Sequence, residues 1–232
     1  MTAHARILPA LVGIATMLFG LVGTPMAGTP VASPSGETTT YHATFSPLNS
    51  DANGGDVSGE AVITVSGDEM TIEIDIDGAA PTIQHWQHFH GFADSDQAAT
   101  CPTMDDDANG DGYVDLIETE AKAGTTMVPF SDDPVSMDIP KAIYPTADAD
   151  GSYRYEQTVS LSALEDAFSK QFDGQQLDLG KRVIFIHTVP GDTELPDSVQ
   201  SLGDIPAQVT LPIACGQLES LDAGTPAATP VR

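Results

Sequence analysis

The sequence predicts a mainly β protein, a Greek-key β-sandwich or barrel that carries one inserted loop and a short helix. Roughly eight short segments either alternate apolar with polar residues or concentrate β-branched residues, as strands do. Turns that contain glycine or proline separate these segments, and little helical periodicity lies outside the insertion. No internal repeat of roughly 20 to 50 residues is visible, which excludes solenoids and propellers.

The predicted strands are residues 40–48, 57–65, 69–76, 82–92, 125–130, 135–139, 152–160, 181–189 and 208–215. In residues 69–76, one methionine and three isoleucines alternate with polar side chains, which predicts one buried and one solvated face. Ser162 and Glu165 have the spacing of a capping box and predict a helix over residues 162–172.

The first 27 residues are predicted to be a signal peptide. His4 and Arg6 precede an apolar run of 17 residues, from Ile7 to Gly23, which is short for a membrane span. Cleavage between Gly23 and Ser35 would make the protein secreted or extracytoplasmic. The alternative is an uncleaved segment that anchors the chain in a membrane.

The composition divides the rest of the chain into three parts. Residues 28–40 are rich in Pro, Ser, Thr and Gly and are predicted to be a linker. Residues 41–218 are predicted to form one β-sandwich domain with an insertion at residues 105–123. Residues 219–232 end in a stretch rich in Ala, Thr and Pro and are predicted to be a disordered tail.

The chain is strongly acidic. In 232 residues, 34 Asp and Glu stand against 8 Lys and Arg, for a formal net charge of −26. This charge repels phosphate backbones and anionic lipid headgroups, so nucleic acid is excluded as a partner. Such a surface suits divalent cations or a saline exterior, and charge alone does not choose between the two.

Residues 107–118, DANGDGYVDLIE, match the twelve-residue pattern of a calcium loop. The predicted ligands at positions one, three, five, seven, nine and twelve are Asp107, Asn109, Asp111, Tyr113 through its carbonyl, Asp115 and Glu118. Gly112 at position six allows the positive φ of the sharp bend. The loop and a short exit helix to about Lys122 resemble the EF-hand, whereas the entering side does not. The alternative is a solvated Asp/Asn/Gly turn without metal.

Cys101 and Cys215 are the two cysteines of the chain. In an exported protein they are predicted to form a disulfide, because such compartments are oxidising. The alternative is two buried free thiols.

His88 and His90 lie two residues apart in a predicted strand, so their side chains project from the same face. His187 lies on another predicted strand, and imidazoles from two strands suit copper or zinc. His85 lies three residues before His88, so in a regular strand its side chain points to the opposite face. It joins the other histidines only if the strand bulges or begins after it. Three interpretations stay open: a three-histidine copper or zinc site, histidines with purely structural hydrogen bonds, and redox catalysis at such a site.

Three segments, HFHGFADSDQAATC, VIFIH and the ACG of LPIACG, look like corresponding pieces of the copper/zinc superoxide dismutases. The resemblance implies a secreted Greek-key barrel in which His88, His90 and His187 match copper ligands. It also implies that Cys101 and Cys215 match the intersheet disulfide. The SGEA of the second predicted strand equally resembles CHRD-type domains, which are similar sandwiches without an established enzymatic role.

The chain departs from the dismutase pattern at the zinc and superoxide sites. No histidine lies between His90 and His187, whereas that family has a bridging histidine and zinc ligands after the cysteine. Leu211–Ile213 stands before ACG where the family has an active-site arginine. The expected function is therefore an exported calcium-binding protein that is not an enzyme. The alternative is a copper- or zinc-binding protein or a copper oxidoreductase of dismutase type.

Overall fold

The computed structural model describes residues 38–221, and within them the chain is mainly β, as predicted. The strands are β1 Thr38–Pro47, β2 Ser58–Ser66, β3 Glu69–Asp77, β4 Gln87–Gly91, β5 Thr125–Pro129, β6 Tyr153–Ser160, β7 Val183–His187, β8 Pro212–Gln217 and β9 Glu219–Ser220. The helices are α1 Ser50–Asn53, α2 Leu116–Ala123, α3 Leu161–Gln171 and α4 Ala207–Thr210. Short 3-10 turns lie at Met104–Asp106, Pro134–Ser136, Ile139–Lys141 and Leu179–Lys181. The predicted signal peptide lies outside the described residues.

The strands form one curled antiparallel sheet in the order β5-β4-β7-β8-β1-β2-β3-β6, and β9 pairs with β1. β1 connects the two halves of this sheet, because its first part pairs with β2 and its last three residues pair with β8. β1, β2 and β3 are consecutive in sequence and pair directly. β4, β7 and β8 are far apart in sequence and meet only through the fold.

The main core is built from alternate residues of the strands. Met70, Ile72, Ile74 and Ile76 of β3 are at most 1% exposed, so the predicted buried face of this strand is confirmed. Phe89 of β4 and the isoleucines of β7 belong to the same core. Each such side chain contributes roughly 1.5–3 kcal/mol by leaving water.

A smaller apolar cluster lies on the opposite face of β7 and β8. Val183 and Phe185 alternate with the core isoleucines of β7, so they point to this second face, where they pack with Ala123 of α2. The predicted disulfide between Cys101 and Cys215 is confirmed and joins the segment before the calcium-loop sequence to β8. β4 and β7 are consequently buried along their whole length.

Some local predictions differ from the structure. Residues 135–139 form no strand, because the segment runs into 3-10 turns that begin at or next to Pro134 and Pro140, which lack the N–H that a strand ladder needs. Helix α3 is capped by Ser160, whose Oγ accepts from the Ala163 N–H, and not by Ser162, whose N–H donates to Asp68.

The predicted linker and tail are each shortened by pairing with the sheet. β1 begins at Thr38, inside the predicted linker, because its first residues pair with the end of β2. Glu219 and Ser220, inside the predicted tail, pair with β1 as β9. No helix among residues 38–221 is long and apolar enough to cross a membrane.

Candidate metal centre

β4 and β7 bring three histidines together on the face of the sheet opposite the main core. His88 and His90 flank the core residue Phe89, so both point to the second face, as their spacing predicted. β4 pairs with β7, whose last residue is His187. The register between β7 and β8 shifts just before His187, and such a bulge re-aims a side chain.

One ring nitrogen of each histidine lies within 4.8 Å of those of the other two. The ring centroids are 5.2 Å apart for His88 and His187, 5.6 Å for His90 and His187, and 6.1 Å for His88 and His90. The three residues are at most 2% exposed. Within residues 38–221, His88 Nδ1, His90 Nδ1 and His187 Nε2 are buried and have no hydrogen-bond partner. A buried polar atom without a partner costs about 1–3 kcal/mol, so three such atoms in one place call for a ligand.

The hydrogen bonds of His187 and His88 fix which nitrogen carries the proton. His187 Nδ1 lies 2.7 Å from the Thr210 carbonyl oxygen, which can only accept, so the lone pair is on Nε2. The Tyr144 hydroxyl donates to the Ile139 carbonyl at 3.0 Å and lies 3.2 Å from His88 Nε2. It therefore accepts from that nitrogen and leaves the lone pair of His88 on Nδ1. Burial raises the pKa of Tyr144, which keeps its hydroxyl neutral.

The ring of His90 is held in the same way. Its Nε2 lies 3.2 Å from the Thr126 hydroxyl, and a hydrogen bond to the Gly124 backbone raises the pKa of the ring. The Thr126 hydroxyl can donate or accept, so this contact fits either tautomer of His90. In His88 and His187 the unpartnered nitrogen is thus the one with a free lone pair, which is the atom that a metal binds, and His90 offers the same at Nδ1 when its proton is on Nε2.

All three rings are neutral at neutral pH. Burial lowers the pKa of His88 and of His90 well below the ordinary value, and the charge of a neighbouring protonated histidine would lower each further. Burial also lowers the pKa of His187 to about 4, against the opposing effect of its hydrogen bond to Thr210. No proton therefore has to leave before a metal ion binds at pH 7.

His85 does not join the three histidines. β4 begins at Gln87, after it, and its ring nitrogens lie 3.0 Å from the His187 carbonyl oxygen and 2.8 Å from that of Ala80. Both nitrogens are occupied, and the side chain is fully buried. His85 therefore supports the backbone at His187 and offers no nitrogen to a ligand.

The calcium-loop sequence forms a tight loop that leads into α2. Gly112 has φ +93°, the positive φ predicted for position six. Asp115 caps α2 through the Ile117 and Glu118 N–H groups, and Glu118 in turn accepts from the Asp115 N–H at 3.0 Å. Among residues 38–221, the histidines are the one group of three or more His, Cys, Asp or Glu gathered at metal-ligand distances. The loop carboxylates accept loop N–H groups instead.

Three residues that hold the histidines were not predicted from the sequence. Tyr144 lies in an irregular segment, Thr126 lies on a strand outside the predicted site, and Thr210 contributes only its backbone carbonyl. None carries a sequence signal, because each role depends on a contact across the fold.

No protein-family model matches the chain, and no curated protein shows significant sequence similarity to it.

Proposed function

We propose that the protein is an exported metal-binding protein in which His88, His90 and His187 hold one copper or zinc ion. Two observations carry the proposal: one ring nitrogen of each of the three buried histidines lies within 4.8 Å of those of the other two, and each histidine has one ring nitrogen without a hydrogen-bond partner among residues 38–221. The disulfide supports export, because disulfides persist mainly in oxidising compartments.

The donor set suits copper and zinc. Neutral imidazole is a ligand for both, and three histidines leave a further coordination position for a molecule from outside. Thr210, Tyr144 and Thr126 hold the ring orientations, as outer partners do in metal sites. When bound, the metal would supply a Lewis-acid or redox centre at these nitrogens.

Dismutase chemistry is not part of the proposal. No histidine lies between His90 and His187, and no arginine lies between Arg182 and Arg232, so the zinc-bridging and superoxide-guiding residues of that family have no counterparts. Arg182 is 3% exposed, packs over the Phe168 ring and donates to the Leu177 carbonyl. Binding, with or without a reaction other than dismutation, is the function that the residues support.

Metal loading of histidine variants tests the proposal. The purified protein is equilibrated with equal copper, zinc and calcium, and its metal content is measured after unbound ions are removed in buffer that retains calcium. We expect one copper or zinc per chain, lost in His88→Ala and in His187→Ala. His42→Ala is the matched control, because His42 lies on β1 and pairs with Glu60 instead. A wild-type chain without copper or zinc, or a His88→Ala variant that keeps the ion, would contradict the proposal.

Calcium binding at residues 107–118 is a second candidate function. The positive φ of Gly112 and the mutual capping of Asp115 and Glu118 favour it, because these are the bend and the helix start that a calcium loop needs. We expect calcium to raise the melting temperature, and Glu118→Gln to abolish this rise. Glu120→Gln, on the exposed side of α2, should keep it. An unchanged calcium effect in Glu118→Gln would rule this candidate out.

A further inference from the structure

A pocket of about 220 Å³ opens beside the three histidines, and His88 and His187 form part of its lining. Its apolar walls come from distant parts of the chain: Trp86, Leu116, Ile139, Leu202 and Ile205. This space is many times what a single water molecule needs, so a small organic molecule fits.

No charged side chain of the described part of the chain lines this pocket, although the protein carries a net charge of −26. The other polar groups of the lining are the side chains of threonines, which offer only neutral hydrogen bonds. A larger cavity of about 810 Å³ elsewhere differs sharply, because aspartates, Lys181 and Arg182 line it. In the metal-free chain, an ion that entered the pocket beside the histidines would lose its hydration without gaining a charged partner in the wall. The lining therefore selects an uncharged molecule.

The outer wall of the pocket is held in place by hydrogen bonds to the loop before α2. The Gln200 N–H donates to Asp115 Oδ2 at 2.6 Å, and the Ser198 hydroxyl donates to Asp111 Oδ2 at 2.6 Å. Leu202 follows in the same segment and keeps 51% of its surface exposed, so an apolar side chain stands at the rim. A preformed apolar pocket with a few polar groups is the usual form of a small-molecule site.

We infer that this pocket binds a small, uncharged, mainly apolar molecule and brings it beside the metal that the histidines hold. The inference rests on the proposed function for the metal, but the choice of ligand class rests on the pocket lining alone. Apart from the metal itself, neither the side chains of the lining nor the net charge attracts an anion such as superoxide.

Benzamide and benzoate test the ligand class, because the two probes have nearly the same shape and differ in charge. Trp86 is the single tryptophan of the chain and lines the pocket, so its fluorescence reports binding there. We titrate both probes at pH 7 into the metal-free protein, where no metal ion attracts the carboxylate, and we titrate benzamide also into the zinc-loaded protein. The expected result is a saturable change with benzamide and at least tenfold weaker binding of benzoate. Benzoate binding as tight as that of benzamide, or no benzamide binding to either form, would overturn the inference.

Leu202→Asp places a negative charge at the rim, where the native side chain is half exposed and the fold should tolerate the change. We expect it to weaken benzamide binding at least tenfold and to leave the zinc content unchanged. Leu221→Asp is the matched control, because Leu221 is 63% exposed and does not line the pocket. If Leu202→Asp binds benzamide as the wild type does, the ligand is not in this pocket.

Zinc content measured in each sample separates the two proposals. A protein that binds zinc but not benzamide refutes the pocket inference alone. A protein that binds benzamide at Trp86 but takes up neither zinc nor copper refutes the metal proposal and supports the ligand class.

Discussion

Acid should destabilise the metal-free protein through its buried histidines, and His187 allows the effect to be worked out. Burial lowers the pKa of His187 to about 4 in the folded chain, against 6.5 for an ordinary histidine. As the pH falls below 6.5, the unfolded chain takes up a proton at this position and the folded chain does not. The contribution of neutral His187 to the free energy of unfolding is therefore fully present above pH 6.5 and is lost as the pH falls towards 4.

The linkage relation gives the magnitude. Between pH 7 and pH 5, a histidine with these two pKa values lowers the free energy of unfolding by about 2 kcal/mol. Burial also lowers the pKa of His88 and His90. The three histidines together should therefore reduce the free energy of unfolding at pH 5 by more than His187 alone.

Urea unfolding at pH 7 and pH 5, with a chelator present and circular dichroism as the signal, measures the effect. Many carboxylates also titrate in this range, so the comparison is between the wild type and His187→Leu. Leucine is of similar size and takes up no proton. The loss of stability between the two pH values should be smaller by about 2 kcal/mol in the variant. Equal losses in the two proteins would show that His187 is not a buried neutral histidine in the metal-free chain.

Other substitutions probe the supports of the site and the fold. Tyr144→Phe removes the acceptor of the His88 Nε2–H. We expect the zinc affinity, measured by competition with a chelator, to fall about 10- to 100-fold. An unchanged affinity would contradict the assigned hydrogen bond. Asn49→Ala removes hydrogen bonds to both backbone groups of Val114, so the free energy of unfolding should fall by about 3 kcal/mol in urea titrations. A fall of less than about 1 kcal/mol would mean that this bridge is dispensable. Replacing both cysteines by serine removes the disulfide, which joins residues 114 positions apart, and should lower the free energy of unfolding by about 4–5 kcal/mol. An unchanged urea midpoint would contradict this loop-entropy estimate.

The sequence was most informative where a pattern is local. The alternation in residues 69–76 predicted the buried face of β3, and the two-residue spacing of His88 and His90 predicted their common face. Both follow from strand geometry, which needs no knowledge of the neighbouring strands. The strand prediction for residues 135–139 was wrong, because prolines in and next to this short segment outweigh its apolar pattern.

The completeness of the site could not be read from the sequence. His187 meets the other two histidines only because β4 pairs with β7, a contact between residues about a hundred positions apart. Which ring nitrogen stays free depends on Thr210 and Tyr144, and the apolar pocket depends on Leu202. These are tertiary contacts that no local periodicity encodes.

Nitrogen-15 NMR of the histidine side chains tests most directly whether His88, His90 and His187 bind one metal ion through their unpartnered nitrogens. In the metal-free protein at pH 7, we predict protonated Nε2 in His88 and His90 and protonated Nδ1 in His187. Zinc should then shift His88 Nδ1, His90 Nδ1 and His187 Nε2 at one equivalent and leave His85 and His42 unchanged. The opposite tautomers in the metal-free chain, or zinc-induced shifts at any other histidine nitrogens, would contradict the account.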